Sequence, residues 1–228
     1  MLGALTLLWA LVTWRVGDPF TALYQRYEQR TLRSDLARST REFDAVRRRI
    51  LATSQAEPEA RTLAEARADL ARLARAYHRS LREGDAVGKL TIPALGLHSV
   101  VVFGTSSAAL RRGPGLDERT YVPGESELVY IAGHRTTYGA PFAHIDSLEP
   151  GDPVYFDLPY ARLTYRITGR RIVDAHALGV LQSKGHEHLA LQACHPRFFA
   201  THRYIADAKL VRFSLIENGR PQVYELRR

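Results

Sequence analysis

The sequence predicts a mainly β protein: a closed β-barrel of about eight strands, preceded by an N-terminal membrane-anchor segment and an α-helical hairpin. Three observations carry this. After Gly84, β-branched and aromatic runs alternate with Gly, Pro, Ser and Asp clusters, and little helical periodicity lies between them. Between Pro19 and Gly84, apolar residues recur at three-, four- and seven-residue steps in a charged background. Before both, residues 1–14 are apolar and carry no charge.

The organisation expected is an anchor over residues 1–16, a hairpin over 17–84 and the barrel over 85–228. Fourteen helical residues reach roughly 21 Å, short of the roughly 30 Å hydrocarbon core. No basic region precedes the run and no small-x-small cleavage site follows it. It reads as a signal-like anchor, a span that starts upstream of Met1, or an amphipathic or core helix. Arg15 directly after the run would, by the positive-inside rule, favour a cytoplasmic C-terminal part.

"GDPF" reads as a helix start, with Asp18 able to cap and Pro19 suited to the first helical position. Leu32, Leu36, Phe43, Val46 and Ile50 then mark one face. Pro58 suits a restart, after which Leu63, Ala66, Leu70, Leu73, Tyr77 and Leu81 mark a second face, to about Arg82, with Gly84 as the stop. The two segments read as an antiparallel helical hairpin, or else as a charged, partly disordered stalk. Beyond it, "KLTIPALGLHSVVVFG", "ELVYIAGH", "PVYFDLPYARLTYRITGRRIVDA", "HLALQAC" and "RYIADAKLVRFSLI" supply seven or eight short strands, with no internal repeat.

Of the 228 residues 45% are apolar, so an ordinary core is within reach. The formal charge is +8, but residues 19–85 hold 14 Arg against 10 acidic residues and the rest of the excess is spread thinly. No basic stripe is interleaved with aromatics, which argues against nucleic acid as a partner. A positive surface near anionic lipid or anionic wall polymer fits the same balance. One cysteine excludes an intramolecular disulfide.

Three polar residues fall at strand ends. His134 closes "ELVYIAGH", Cys194 closes "HLALQAC" and Arg203 opens "RYIADAKLV". Strand ends form a barrel rim, where distant residues converge. Such a trio supports acyl transfer. A thiolate attacks a carbonyl and forms a thioester. An imidazole donates a proton to the departing amine and takes one from the incoming nucleophile. A guanidinium sits where the oxyanion develops or holds the substrate backbone. Competing chemistries fit less well. A phosphate-binding Cys-x5-Arg loop would place Arg where Ala200 stands. The papain-like order of cysteine before histidine is reversed. A second cysteine, His-x3-His and a phosphate-cradling Gly-rich loop followed by Lys-Ser/Thr are all lacking. Taken alone, a single cysteine at a strand end also reads as a buried small hydrophobe.

From about Lys89 to Leu215 the chain resembles the sortases, cysteine transpeptidases of Gram-positive bacteria, and most of all class E sortases of actinobacteria. "LTIPALGL" resembles the family's opening strand. "LRRGPG" with "VPGE" resembles the connection before the histidine strand. "YIAGHRTTYGAPFAHIDSLEPGDPVYF" resembles that strand and a helix after it, and "LQACHPRFFATHRYI" the cysteine strand with its arginine partner. The resemblance implies His134 as catalytic histidine, Cys194 as nucleophile and Arg203 as support for oxyanion and peptide. It implies Tyr138 and Ala193 as substrate-binding positions. It implies no organic cofactor and no metal. The implied partners are surface proteins bearing a sorting signal, a peptidoglycan-precursor amine, and the cell membrane through one N-terminal anchor, with the catalytic domain extracellular. The implied reaction cleaves a Leu-Ala-x-Thr-Gly-like signal between Thr and Gly. One departure is local: where the family carries two threonines, this chain has Ala190 and Ala193. A lost hydroxyl donor beside the nucleophile is worth about tenfold in rate or more. That departure, with the hairpin, motivates an alternative: a catalytically weak barrel acting as a membrane-anchored peptide-binding or scaffolding module.

Overall fold

The computed structural model describes residues 3, 19–54, 61–217 and 220–226. Apart from Gly3, the expected anchor over residues 1–16 lies outside the described residues, as do Asp18 and Pro58. Among the described residues no helix is long and apolar enough to cross a membrane.

Two helices come first, α1 (Pro19–Ala52) and α2 (Leu63–Ser80). A capping box starts α2: the Glu65 N–H donates to Thr62 Oγ1 at 3.3 Å while the Thr62 N–H donates to the Glu65 carboxylate at 2.8 Å. Such a cap contributes about 1 kcal/mol. The helix stops at Ser80, earlier than Gly84, because Leu81 turns extended and the Asp85 carboxylate takes the Arg82 N–H at 2.7 Å. The pair is no stalk. Phe43, Ala66, Leu70, Leu73, Ala74, Tyr77 and Leu81 belong to one apolar cluster with the barrel interior. The Tyr77 hydroxyl lies 3.1 and 2.9 Å from the Ala86 and Val87 carbonyls, and its ring meets Phe43 and Tyr160 at centroid distances of 5.2 and 5.5 Å. Val46, expected on the inner face of α1, is exposed.

The strands are β1 (Ala86–Ile92), β2 (Leu97–Phe103), β3 (Gly115–Leu116), β4 (Leu128–Gly133), β5 (Pro153–Asp157), β6 (Ala161–Asp174), β7 (His188–His195), β8 (His202–Glu217) and β9 (Arg220–Glu225), with a short helix α3 (Ser107–Arg112) between β2 and β3. The sheet order is β6-β5-β1-β2-β3-β4-β7-β8, and β6 pairs with β8 from Ala161↔Leu215 to Asp174↔His202. That pairing closes an eight-stranded barrel and removes its free edges. The ninth strand, β9, extends β8 outside the ring. At the junction of β2 and β3 a gap remains, and α1 fills it. Buried Gln29 accepts the Val100 N–H at 2.7 Å and donates to the Val100 and Arg112 carbonyls at 3.0 and 2.9 Å.

A helix over 34 residues spans about 50 Å, so α1 runs the length of the barrel. Near its C-terminal end, Arg47 donates to the Pro159 carbonyl at 3.3 Å. Near its N-terminal end, Thr21 accepts the Tyr138 N–H at 2.9 Å. After β4 the resemblance led us to expect a helix; the chain makes turns and a single 3-10 turn at Ile145–Ser147 instead.

Candidate functional site

Alternation along β7 sorts its residues. Leu189, Leu191 and Ala193 join the interior core, so Ala190, Gln192 and Cys194 occupy the other face. Arg203 pairs directly with Cys194 across β7 and β8 and therefore shares its face. The parallel ladder of β4 and β7 ends at Gly133↔Ala193, which leaves His134 and Cys194 one residue further along neighbouring strands. The three residues expected at the rim are thus brought together at one end of the barrel. Ala193 is not: its methyl is fully buried in the core, so what it can offer a peptide is backbone.

Local sequence explains the placement of His134. A Cβ at Gly133 would lie 2.5 Å from the Phe142 ring, so only glycine lets Phe142 pack under the end of β4. The Phe142 N–H then donates to the His134 carbonyl at 3.1 Å and turns the loop back. Tyr138, Gly139 and Ala140 follow with φ of 49°, 69° and 43°. At Gly139 the φ of 69° favours glycine, and the Gln25 side chain reaches over the position. Tyr138 lies with its ring centroid 5.2 Å from that of His134 and 6.3 Å from that of Tyr24 on α1, and the Arg111 guanidinium carbon stands 5.9 Å from it.

Electrostatics follow from this packing. Burial, and then the Arg111 cation, hold the His134 pKa below its ordinary value, which favours neutral imidazole. Cys194 is a free, partly exposed thiol. Arg203 is folded onto its own loop, donating through Nη1 to the Ala200 and His202 carbonyls at 2.8 and 3.1 Å. A cleft of about 250 Å³ adjoins it, floored by Tyr130, Ala132 and Gln192 and walled by Leu178, Val180 and Leu181. A larger hollow of about 660 Å³, lined by Asp35, Glu42, Phe43 and Glu83 among others, lies along α1 with no cysteine or histidine in its lining. Among the described residues no group of three or more His, Cys, Asp or Glu is placed to hold a metal ion.

Sequence reading missed four contributors. Arg111 beside Tyr138, Arg135 beneath the site, and Thr21 and Tyr24 on α1 received no role. "LRRGPG" and "AGHR" contain the arginines, but nothing local says where a long side chain ends.

A closed β-barrel thus carries a thiol, an imidazole and a guanidinium at the ends of neighbouring strands, with a cleft beside the guanidinium. The family model for the sortase domain matches residues 90–211, more than half of the chain, and the chain belongs to the sortase family. It is similar to Sortase D of Bacillus subtilis (strain 168), 33% identical over 132 residues that make up 56% of this chain and 65% of that one. It is also similar to Sortase SrtE2 of Streptomyces coelicolor, 30% identical over 106 residues, 42% of each chain. The chain thus spans less than two thirds of the length of these curated relatives. Among solved structures, Sortase E1 from Streptomyces coelicolor with a tripeptide in the active site shares 27% identity at a TM-score of 0.55, covering 61% of this chain and 96% of that one.

Proposed function

We propose that the chain is a class E-like sortase: a cysteine transpeptidase that cleaves a C-terminal sorting signal and transfers the protein to a cell-wall amine. The signal is Leu-Ala-x-Thr-Gly-like and is cut between Thr and Gly. The observation that carries the reading is the convergence of His134, Cys194 and Arg203 at the ends of β4, β7 and β8. The tripeptide held by the related Sortase E1 supports a peptide substrate.

Each residue has one task. Neutral His134 takes the Cys194 proton, the resulting thiolate attacks the Thr carbonyl carbon, and the carbonyl electrons move onto oxygen, where the Arg203 guanidinium balances them. As the C–N bond breaks, protonated His134 gives its proton to the Gly nitrogen, which leaves as an amine. A thioester remains. The acceptor amine loses a proton to His134, attacks the thioester and expels Cys194. Arg203 must first exchange the carbonyls of its own loop for the substrate, a short side-chain move. Tyr138 sits over His134 and is placed to meet the peptide. The membrane is a partner through residues 1–16, with the barrel outside the cell.

The test is mass spectrometry of the full chain after incubation with a Leu-Ala-x-Thr-Gly peptide, with hydroxylamine as a trap. A thioacyl adduct on Cys194, released as a hydroxamate and absent in Cys194→Ala, is the expected result. Peptide binding without any adduct overturns the reading in favour of a binding or scaffolding barrel, for which the missing hydroxyls at Ala190 and Ala193 are the motive.

A further inference from the structure

The residue next to His134 is an arginine whose side chain is only 3% exposed. Burying a guanidinium is costly unless every arm is used. Here three segments use it. Arg135 Nη2 pairs with Asp146 Oδ2 at 2.6 Å in the turn after β4. Its Nη1 donates to His195 Nδ1 at 3.1 Å and approaches the Cys194 carbonyl oxygen at 3.4 Å. Its Nε lies 3.5 Å from the Ala143 carbonyl oxygen, and its Cζ 5.9 Å from the Tyr204 ring centroid on β8. Because arginine only donates, His195 accepts at Nδ1 and carries its proton on Nε2.

Where this happens matters more than the number of contacts. The ladder between β4 and β7 stops at Gly133↔Ala193. Past that point no ladder pair holds His134 beside Cys194. Arg135 bridges the opening: its backbone is joined to His134, and its donors reach the carbonyl of Cys194 and the ring of the next residue.

We propose that Arg135 is a positioning residue for the reaction, clamping the cysteine end of β7 to the histidine end of β4 and so fixing the spacing across which imidazole and thiol exchange a proton. This rests on the roles proposed above for His134 and Cys194. Lysine is a poor substitute, since one ammonium cannot satisfy Asp146, His195 and the Cys194 carbonyl together. A misplacement of about 1 Å between reacting groups costs about 10²-fold.

The test uses the full chain with Arg135→Met and Arg135→Lys. Arg135→Met is expected to lower kcat about 10²-fold while KM for the peptide stays within about threefold, and Arg135→Lys to recover about tenfold of that loss. Activity is expressed per folded molecule, so a fall in Tm alone does not register. An unchanged kcat per folded molecule in either variant overturns the inference. A second readout needs no turnover: the pH profile of Cys194 alkylation by iodoacetamide. The wild-type profile is expected to carry an inflection that His134→Ala removes and that both Arg135 variants displace. Variant profiles that superimpose on wild type overturn the inference even if the wild type turns over no sorting peptide, so the two readings fail separately. Should Arg135→Met not fold, Arg135→Lys, which keeps the charge and the Asp146 pair, decides both measurements.

Discussion

At the end of the barrel away from Cys194, α2 presses Leu70, Leu73 and Tyr77 into the same core that the strands line. Leu70 packs so tightly on Gly124 that a Cβ there would come within 2.8 Å of it. His78 pairs with Glu125 at 2.9 Å, and the Tyr160 hydroxyl donates to the Pro123 carbonyl at 2.5 Å. The cleft end is built otherwise. Phe198 and Phe199 are 56% and 77% exposed, and Arg203 spends its donors on loop carbonyls. Of the five non-glycine residues with positive φ among the described residues, four (Tyr138, Ala140, Phe198 and Ala200) lie in the loops that follow β4 and β7. Strained backbone clusters where function over-determines it. The contrast separates the end that holds the barrel together from the end that carries Cys194, and the hairpin packs into the core of the first.

The largest expected effect tests that separation directly. Leu73→Ala, at a fully buried position of the hairpin, is expected to cost about 3 kcal/mol in urea unfolding. Phe199→Ala, in the exposed loop between β7 and β8, is expected to stay within about 0.5 kcal/mol. Equal costs would dissolve the contrast, and a negligible cost at Leu73 would return the hairpin to the status of a stalk.

A smaller effect comes from Glu187, which ties the segment before β7 to the closed end. Its carboxylate accepts the Gly124 and Ser126 N–H groups at 2.9 and 2.8 Å and the Tyr165 hydroxyl at 2.6 Å. Burial outweighs these donors, and with Glu125 close by the pKa is pushed up to about 7. The folded state therefore binds the proton more tightly than the unfolded chain does. The stabilisation is complete below about pH 4.3, the unfolded value, and is lost as pH rises through about 7. Between pH 5 and pH 8 the loss is on the order of 2 kcal/mol. Urea unfolding at pH 5 and pH 8 is expected to show it in the wild type and not in Glu187→Gln. An identical slope in the variant would mean that Glu187 is ionised in the native state.

These two ends differ also in how far the sequence discloses them. The alternation in "LALQAC" places Leu189, Leu191 and Ala193 inside, and periodicity marks Leu70, Leu73 and Tyr77 as a buried face, because burial repeats with the backbone period. His134, Cys194 and Arg203 are legible for the same reason: strand ends form the rim. The contributions of Arg111, Arg135, Thr21 and Tyr24 were not. Each acts through a long side chain or across more than 80 residues of chain, as Thr21 does on Tyr138, and no local period encodes such a reach. Likewise β3, two residues long, and β9 fall below what a pattern can register.

The smallest expected effect lies within the cleft and separates its two electrostatic causes. His134 is held below its ordinary pKa first by burial and then by Arg111. Arg111 is exposed, so its share is screened by solvent and salt. Arg111→Gln is expected to raise the His134 midpoint, read from the imidazole resonances by NMR, and to leave it still below the ordinary value. Raising the salt is expected to move the wild type the same way and the variant hardly at all. Arg112→Gln gives the contrast, because that guanidinium is already committed to Glu28 at 2.9 Å and to the Gly84 carbonyl at 2.7 Å. A His134 midpoint that ignores both Arg111→Gln and salt would assign the whole depression to burial, and Arg111 would then bear on Tyr138 alone.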